Sequence, residues 1–398
     1  MTVALKAAWP VRHADDVRAL SALVGLGVIG ALGTWSFLPL VVNQAVVAFG
    51  LDERSAGFLA AAEMAGSGAA TFLASFIVHR RERRMIVCCG LLLIALGSAV
   101  SLWAGHFGIL LAGRSMTGIG EGAVIAAVIA SMAGTRWPER NFGIWTIVNM
   151  AAASLLFFIV MPNLIGQWGL SGVFTAYLGL TIPGFLLLAW YPVPQTERRN
   201  ATKSMGVLSP AVLACLAAIL AAHLAHGGIW AYIERIGISS GASPQLVGRA
   251  LGSAAFAGLL GGILVTLLGT RRGRVLPNAV ALALSAASLL FLILGHTAAL
   301  FVSTAMVFYF AWVFGLPYLM GIVAYLDPAG QAATLAIVAQ SVGLAGGPWI
   351  AGNLVTATRY GNLLWLGLGL YLAALSIAVP LAHLADRRES ERMGQQSG

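Results

Sequence analysis

The sequence predicts an all-α integral membrane protein of twelve transmembrane helices in two pseudo-symmetric six-helix bundles, and three observations carry that expectation. Of the 398 residues 59% are hydrophobic and only 9% charged, against about 25% charged in an ordinary soluble domain. Apolar runs of roughly 20 residues follow one another along the chain, each long enough as a helix to cross about 30 Å of hydrocarbon. The second half of the chain also repeats the spacing of the first.

A segment of residues 1–18 precedes the first run. It carries Lys6, Arg12 and Arg18 together with Asp15 and Asp16, and no small-residue cleavage site closes the apolar run after it. The first span is therefore expected to be retained rather than removed as a signal peptide. Six spans are placed at 19–43, 55–78, 85–104, 107–132, 141–166 and 171–191, forming an N-terminal bundle over 19–191. A polar stretch rich in Pro, Arg, Asn, Lys and Ser, 192–208, reads as a linker. Six more spans, at 209–233, 244–269, 275–296, 298–325, 331–356 and 362–385, form a C-terminal bundle over 209–385, followed by a tail over 386–398.

The basic residues between spans set the orientation. With both termini in the cytoplasm, the inside segments hold Arg80, Arg81, Arg83, Arg84, Arg136, Arg140, Arg198, Arg199, Lys203, Arg271, Arg272, Arg274, Arg387, Arg388 and Arg392, and the outside loops only Arg54, Arg235 and Arg359. That is the positive-inside bias of a multi-pass protein of an inner or plasma membrane. It also accounts for the formal net charge of +9 without a nucleic-acid partner. Shifting the chain by 191 residues lays Arg80, Arg81 and Arg83 on Arg271, Arg272 and Arg274, Gly57 on Gly248, and Asn149 on Gln340. A duplicated six-span unit is the pattern of transporters whose halves move about a site near the membrane midplane.

Several chemistries are disfavoured. Cys88, Cys89 and Cys215 fall within spans with no metal spacing, so they read as small apolar residues rather than as ligands or a disulfide. No Gly-rich phosphate loop and no soluble nucleotide domain is present, which argues against an ATP-driven pump. No cofactor is expected.

The chemistry centres on Leu110–Ala123, where Arg114 and Glu121 lie inside a membrane-length apolar segment. An ionisable residue at that depth costs about 3 kcal/mol or more, so it faces a protein interior or an aqueous cavity. Seven residues is close to two helical turns, which puts both on one face with Gly118 between them. Glu121 reads as a proton carrier, with Arg114 as its modulator; the competing reading is a fixed Arg114–Glu121 ion pair. Glu63, in the second span, is a further partner for Arg114, either in coupling or as a structural pair. His223 and His226 share a face of the seventh span and titrate near neutral pH, although two histidines alone do not make a metal site.

The chain resembles the major facilitator superfamily from its first span to its last. Arg114, Gly118, Gly120 and Gly122 resemble that family's fourth-helix motif, found in proton-coupled members. Ser75–Arg84 resembles its second-to-third loop through Arg80, Arg83 and Arg84, with His79 where an Asp is usual and Ser75 and Glu82 where glycines are usual. The second copy keeps Arg271, Gly273 and Arg274, with Thr270 in place of the acid. The resemblance implies that these loops act in the conformational change, and the missing Asp implies an absent or replaced cytoplasmic latch. Gly343, Gly346, Gly347, Pro348 and Gly352 look like a displaced relative of the antiporter signature.

The resemblance further implies that the first, fourth, seventh and tenth spans line a central cavity. Trp35 maps onto His226 and Glu121 onto Trp312 under the 191-residue shift, and these four are expected there. Tyr309 and Trp312 are candidates for stacking on a solute, Asn149 and Gln340 for hydrogen bonds to it, and His223 and His226 for solute or proton contact. Packing and interhelical hydrogen bonding are the alternatives for each. The expected function is monomeric, non-enzymatic secondary transport of a small organic solute coupled to protons by alternating access, with efflux by proton antiport slightly preferred. Proton-coupled uptake of an organic anion is the alternative, and a non-transporting receptor or assembly factor on the same fold is a third reading.

Overall fold

The structure, a computed structural model, describes residues 16–78, 82–135, 138–192, 209–269, 273–295, 297–326, 331–356 and 359–396. Most of the expected linker lies outside these, as do Arg80, Arg81, Arg271, Arg272 and the side chains of Trp35 and Ser75. Among the described residues the chain forms twelve helical rods. The first, α1 (17–49), consists of Val17–Leu32, a π-helical stretch Gly33–Phe37 and Leu38–Phe49. It is followed by α2 (Glu53–Ile77), α3 (Arg83–Leu102) and α4 (Phe107–Met132). Pro138–Leu155 and a second π-helical stretch, Leu156–Val160, begin α5 (138–168), and α6 (170–190) follows. These two run together except at Gly169, whose φ of 54° and ψ of −132° no helix accommodates and few side chains tolerate. The remaining rods are α7 (Pro210–Ser239), α8 (Pro244–Leu268), α9 (Val275–Leu294), α10 (Ala298–Leu326), α11 (Gln331–Leu354) and α12 (Gly361–Gln396).

Local chemistry starts these helices where they start. Ser209 and Ser243 each accept a hydrogen bond from a backbone N–H three residues on, with Pro210 and Pro244 at the first helical position, which has no N–H to leave unpaired. Asp52 accepts from the Ser55 N–H at 2.8 Å, and hydrogen bonding from Ser55 holds its carboxyl below the usual range. Large apolar side chains such as Leu73, Phe76, Leu92, Leu96, Phe256, Leu260, Phe291, Leu294 and Trp365 stand exposed along the rods. Such a surface suits lipid and not water. Among the described residues ten helices are long and apolar enough to cross a membrane, and the two α-helical pieces of α1 are shorter apolar helices.

The rods group into two compact units. One holds the chain up to Leu38, Ala62–Ala152 and the chain from Leu164 to the end of α6; the other holds Pro39–Ala61, Ala153–Asn163 and α7–α12. In the first unit α3 and α4 pack nearly backbone to backbone. A Cβ on Gly97 would lie 2.5 Å from the Gly113 carbonyl, and one on Gly120 would lie 2.5 Å from the Gly90 carbonyl. In the second unit α7 and α11 meet the same way, through Gly227 against Leu344 and Gly347 against Gly228. Ala281, Phe314 and Tyr318 knit α9 to α10, with Leu264 and Val265 of α8 packed against them.

Candidate functional site

The first unit carries a buried polar cluster built on α4. Arg114, Glu121 and Glu63 each expose 0% of their surface. Glu63, from α2, gives both carboxylate oxygens to Arg114, one of them to Nε at 2.9 Å. A forked guanidinium matches a carboxylate in this way and holds it in one orientation. Glu121 acts on the same guanidinium through its charge, and Tyr177 of α6 donates its hydroxyl to Glu121 Oε1 at 2.6 Å. The Arg114 guanidinium lies over the Tyr177 ring at 5.1 Å and the Phe174 ring at 5.5 Å, and both carboxylates act on it electrostatically. Among the described residues, two carboxyls, one guanidinium and one phenol thus share a buried site.

The glycines of the fourth-span motif build this site by having no side chains. A Cβ on Gly118 or Gly122 would collide with the α2 backbone at Glu63 and Ser67, so these two positions let α2 come close enough to present Glu63. From α1, Gly33 abuts the Glu121 carboxylate and the Tyr177 hydroxyl so tightly that a Cβ there would overlap both. Gly33 also begins the π-helical stretch, whose Phe37 ring packs on Tyr177 at 4.5 Å. Asn149 of α5 is buried in this unit.

The second unit gathers the aromatic candidates around α7. His226 stacks on Trp312 at 4.2 Å and on Phe308 at 5.1 Å, with near-parallel rings, and Trp230 joins the stack at 6.2 Å. Tyr309 packs on Trp230 at 4.8 Å and on Trp312 at 5.5 Å. His223 donates from Nδ1 to the Ile219 carbonyl at 2.7 Å, which leaves Nε2 as an acceptor with no partner among the described residues. It borders a small cleft lined also by Asn278, Ser285, Trp312 and Tyr371. Gln340 is half-buried on α11. Structure thus brings Glu63, Arg114 and Glu121 into one cluster and His226, Tyr309 and Trp312 into another, in different units.

The repeated loops are held differently in the two halves. Arg83 donates to the carbonyls of Val78 and Ala130, the latter at 2.9 Å, so it closes the last turn of α4, where carbonyls lack helical partners. Beside it the Tyr191 hydroxyl bonds to Ser131 at 2.7 Å and to the Ala127 carbonyl at 3.0 Å. Arg84 is half-buried. In the second copy Arg274 meets Asp386 of α12 at 3.1 Å, and the same carboxylate accepts from the backbone N–H groups of Arg274 and Val275 at the start of α9. Gly273, at φ 71°, admits that carboxylate: a Cβ there would lie 2.5 Å from it. The carboxylate that meets this loop thus comes from the far end of the chain, while Thr270, at the acid position of the motif, lies outside the described residues.

Sequence reasoning missed Tyr177, Asn43 and Glu234. A tyrosine deep in an apolar span is a weak signal, since its hydroxyl needs a partner there. Asn43 and Glu234 fall at the edges of the predicted spans 19–43 and 209–233, where polar residues are ordinary. The helices run further, to Phe49 and Ser239, and carry both residues inward.

A model of the Major Facilitator Superfamily matches residues 23–348. Among solved structures, the chain is similar to one reported under "Structural insights into substrate recognition in proton dependent oligopeptide transporters", with a TM-score of 0.70 at 10% identity over 92% of this chain and 97% of that one. No curated protein matches the sequence. The family match, spanning most of a chain that folds as twelve mainly apolar rods, leads to one conclusion: the chain belongs to the major facilitator superfamily of membrane transporters.

Proposed function

We propose that the protein uses a proton gradient to move a small organic solute by alternating access, exporting it in exchange for protons, as a monomer in an inner or plasma membrane with both termini in the cytoplasm. The observation that carries this reading is the cluster of Glu63, Arg114, Glu121 and Tyr177. One guanidinium neutralises one carboxylate, and Glu63 takes it in a two-pronged pair. A second carboxylate sealed in the same site is costly while ionised, so the cluster as a whole favours one bound proton. Glu121 is its carrier, because a protonated carboxyl still accepts from Tyr177. Movement of α1, whose Gly33 abuts Glu121, changes the carboxyl's access to water.

Uptake of an organic anion drawn by Arg114 and the two histidines gains less support. Arg114 is committed to Glu63, and His226 is closed in an aromatic stack. Close approach of α11 to α7 through its glycines favours the export reading, because the antiporter-like residues Gly343 and Gly347 make that contact. The aromatic cluster of Tyr309 and Trp312 suits an amphipathic solute with few charges.

The test is solute flux in proteoliposomes under an imposed pH gradient. Wild-type protein is expected to drive flux, and Glu121→Gln to lose gradient-driven flux at least tenfold while keeping its fold and monodispersity. Unchanged flux in Glu121→Gln would remove the proton role from this residue. Solute movement opposite to protons supports export, movement with them import, and no flux at all the non-transporting reading.

A further inference from the structure

At one end of the second unit lies a buried carboxyl outside the cluster just described. Glu234 of α7 is 4% exposed. Its Oε1 accepts one hydrogen bond, from Asn43 Nδ2 at 2.8 Å, and its Oε2 has no partner among the described residues. Asn43 and Glu234 are 191 residues apart, the spacing of the internal repeat, so equivalent positions of α1 and α7 face each other. The adjacent cation is engaged elsewhere: Arg235 pairs with Glu53 at the start of α2 and donates from Nε to the Tyr360 hydroxyl at 3.1 Å. Among the described residues, Asp52, Glu53, Tyr232 and Tyr360 are the other titratable groups of this corner, and Asp52 is exposed. A sealed carboxyl with a single hydrogen bond is far cheaper neutral than ionised.

What seals it is a separable piece of chain. Residues 39–61, the end of α1 with the start of α2, pack on α7 and α11. Tyr232 donates to the Glu53 carbonyl, and Gly57 abuts the Pro348 carbonyl and Gly352. Buried Leu40, Val41, Val42 and Leu59 pack this hairpin in place together with these hydrogen bonds, the ion pair and the glycine contacts. On the α1 side it connects through the π-helical stretch Gly33–Phe37 followed, after Leu38, by Pro39, an irregularity of the kind that marks hinges. When the hairpin parts from α7, Glu234 meets water.

We propose that Glu234 is a proton-binding carboxyl, protonated while Asn43 and the 39–61 hairpin cover it and released to ionise when they part. Docking of the hairpin then takes up a proton and undocking releases one, which makes Glu234 a second proton site of the transport cycle; that last consequence rests on the proton-coupled reading above. Linkage gives the sign. Falling pH favours the docked hairpin, and between the two proton affinities the docked-to-undocked ratio drops up to about tenfold per pH unit as pH rises.

The experiment is pulsed electron–electron spin-resonance distance measurement on the full chain in liposomes, with Cys88, Cys89 and Cys215 replaced and nitroxide labels at Ala48→Cys and Ser239→Cys, from pH 5.5 to 8.5. The short-distance, docked population is expected to fall with pH. Glu234→Gln, which keeps a hydrogen-bonding partner for Asn43, is expected to stay docked with no pH dependence. The swapped pair, Asn43→Asp with Glu234→Gln, restores one carboxyl and one amide and is expected to regain the titration; it serves as the control if the single variant does not fold. A pH-independent wild type, or a titration that survives Glu234→Gln, overturns the proposal. Docking that titrates in a protein without gradient-driven flux would leave this site standing and sink the transport reading, and flux without titrating docking would do the reverse.

Discussion

Glu63 and Arg114 form the kind of contact in which losing one partner costs more than losing both. Removing one side of a buried, two-pronged ion pair strands a charge and costs about 3–5 kcal/mol. Glu63→Leu is therefore expected to lower the thermal unfolding midpoint in detergent sharply, and Glu63→Leu with Arg114→Leu to recover much of that loss; a double variant worse than the single one would mean that the pair is not a unit. Gly33→Ala is the complementary case. Its Cβ overlaps Glu121 and Tyr177, which predicts about 1–3 kcal/mol of destabilisation from overpacking and impaired gradient-driven flux, both measurable on the same preparation. At this scale the charges were legible in the sequence, because an Arg and two Glu in apolar spans are conspicuous. Which carboxylate Arg114 takes was not, since it depends on how closely glycines let α2 approach α4. Tyr177 stayed hidden because only its partner gives it meaning.

Helices were legible as elements, and their irregularities were not. The chain's apolar runs mark all twelve rods, but nothing in Gly33–Phe37 or Leu156–Val160 announces a π-helical turn, and α12 continues as helix to Gln396 where a tail was expected from residue 386. That extension matters, because it presents Asp386 to the first backbone N–H groups of α9 and to Arg274. Removing an acidic cap of this type costs about 0.5–2 kcal/mol. Asp386→Ala is expected to raise amide hydrogen exchange at residues 274–278 selectively, leaving α3 and its Arg83 contacts unaffected; uniform exchange changes across the chain would argue against a local capping role. The two loops thus share a basic pattern but differ in their anchors, Arg83 on helix-end carbonyls and Arg274 on a carboxylate.

At the scale of the whole molecule, the twelve-helix architecture was readable from composition, run length and the spacing of basic clusters, since all three are set by the bilayer rather than by packing detail, while the family was readable only through the resemblance carried by Arg114, Gly118, Gly120, Gly122 and the 75–84 loop. Orientation follows from the same physics. A membrane-impermeant maleimide added to intact cells is expected to label Ala48→Cys and to spare Glu82→Cys in a cysteine-free background, because the proposed orientation, with basic loops inside, has the loop holding Glu82 in the cytoplasm. The reverse pattern would invert the topology. The grouping of residues 39–61 and 153–163 with α7–α12 was beyond sequence reasoning, because a contact between distant segments leaves no trace in either segment alone.

Gly33 has one more implication. The same residue that touches Glu121 opens the π-helical stretch of α1, so the turn that departs from regular helix is itself one wall of the carboxyl's enclosure. Rewinding those five residues therefore loosens that wall directly, with no relay between backbone and acid.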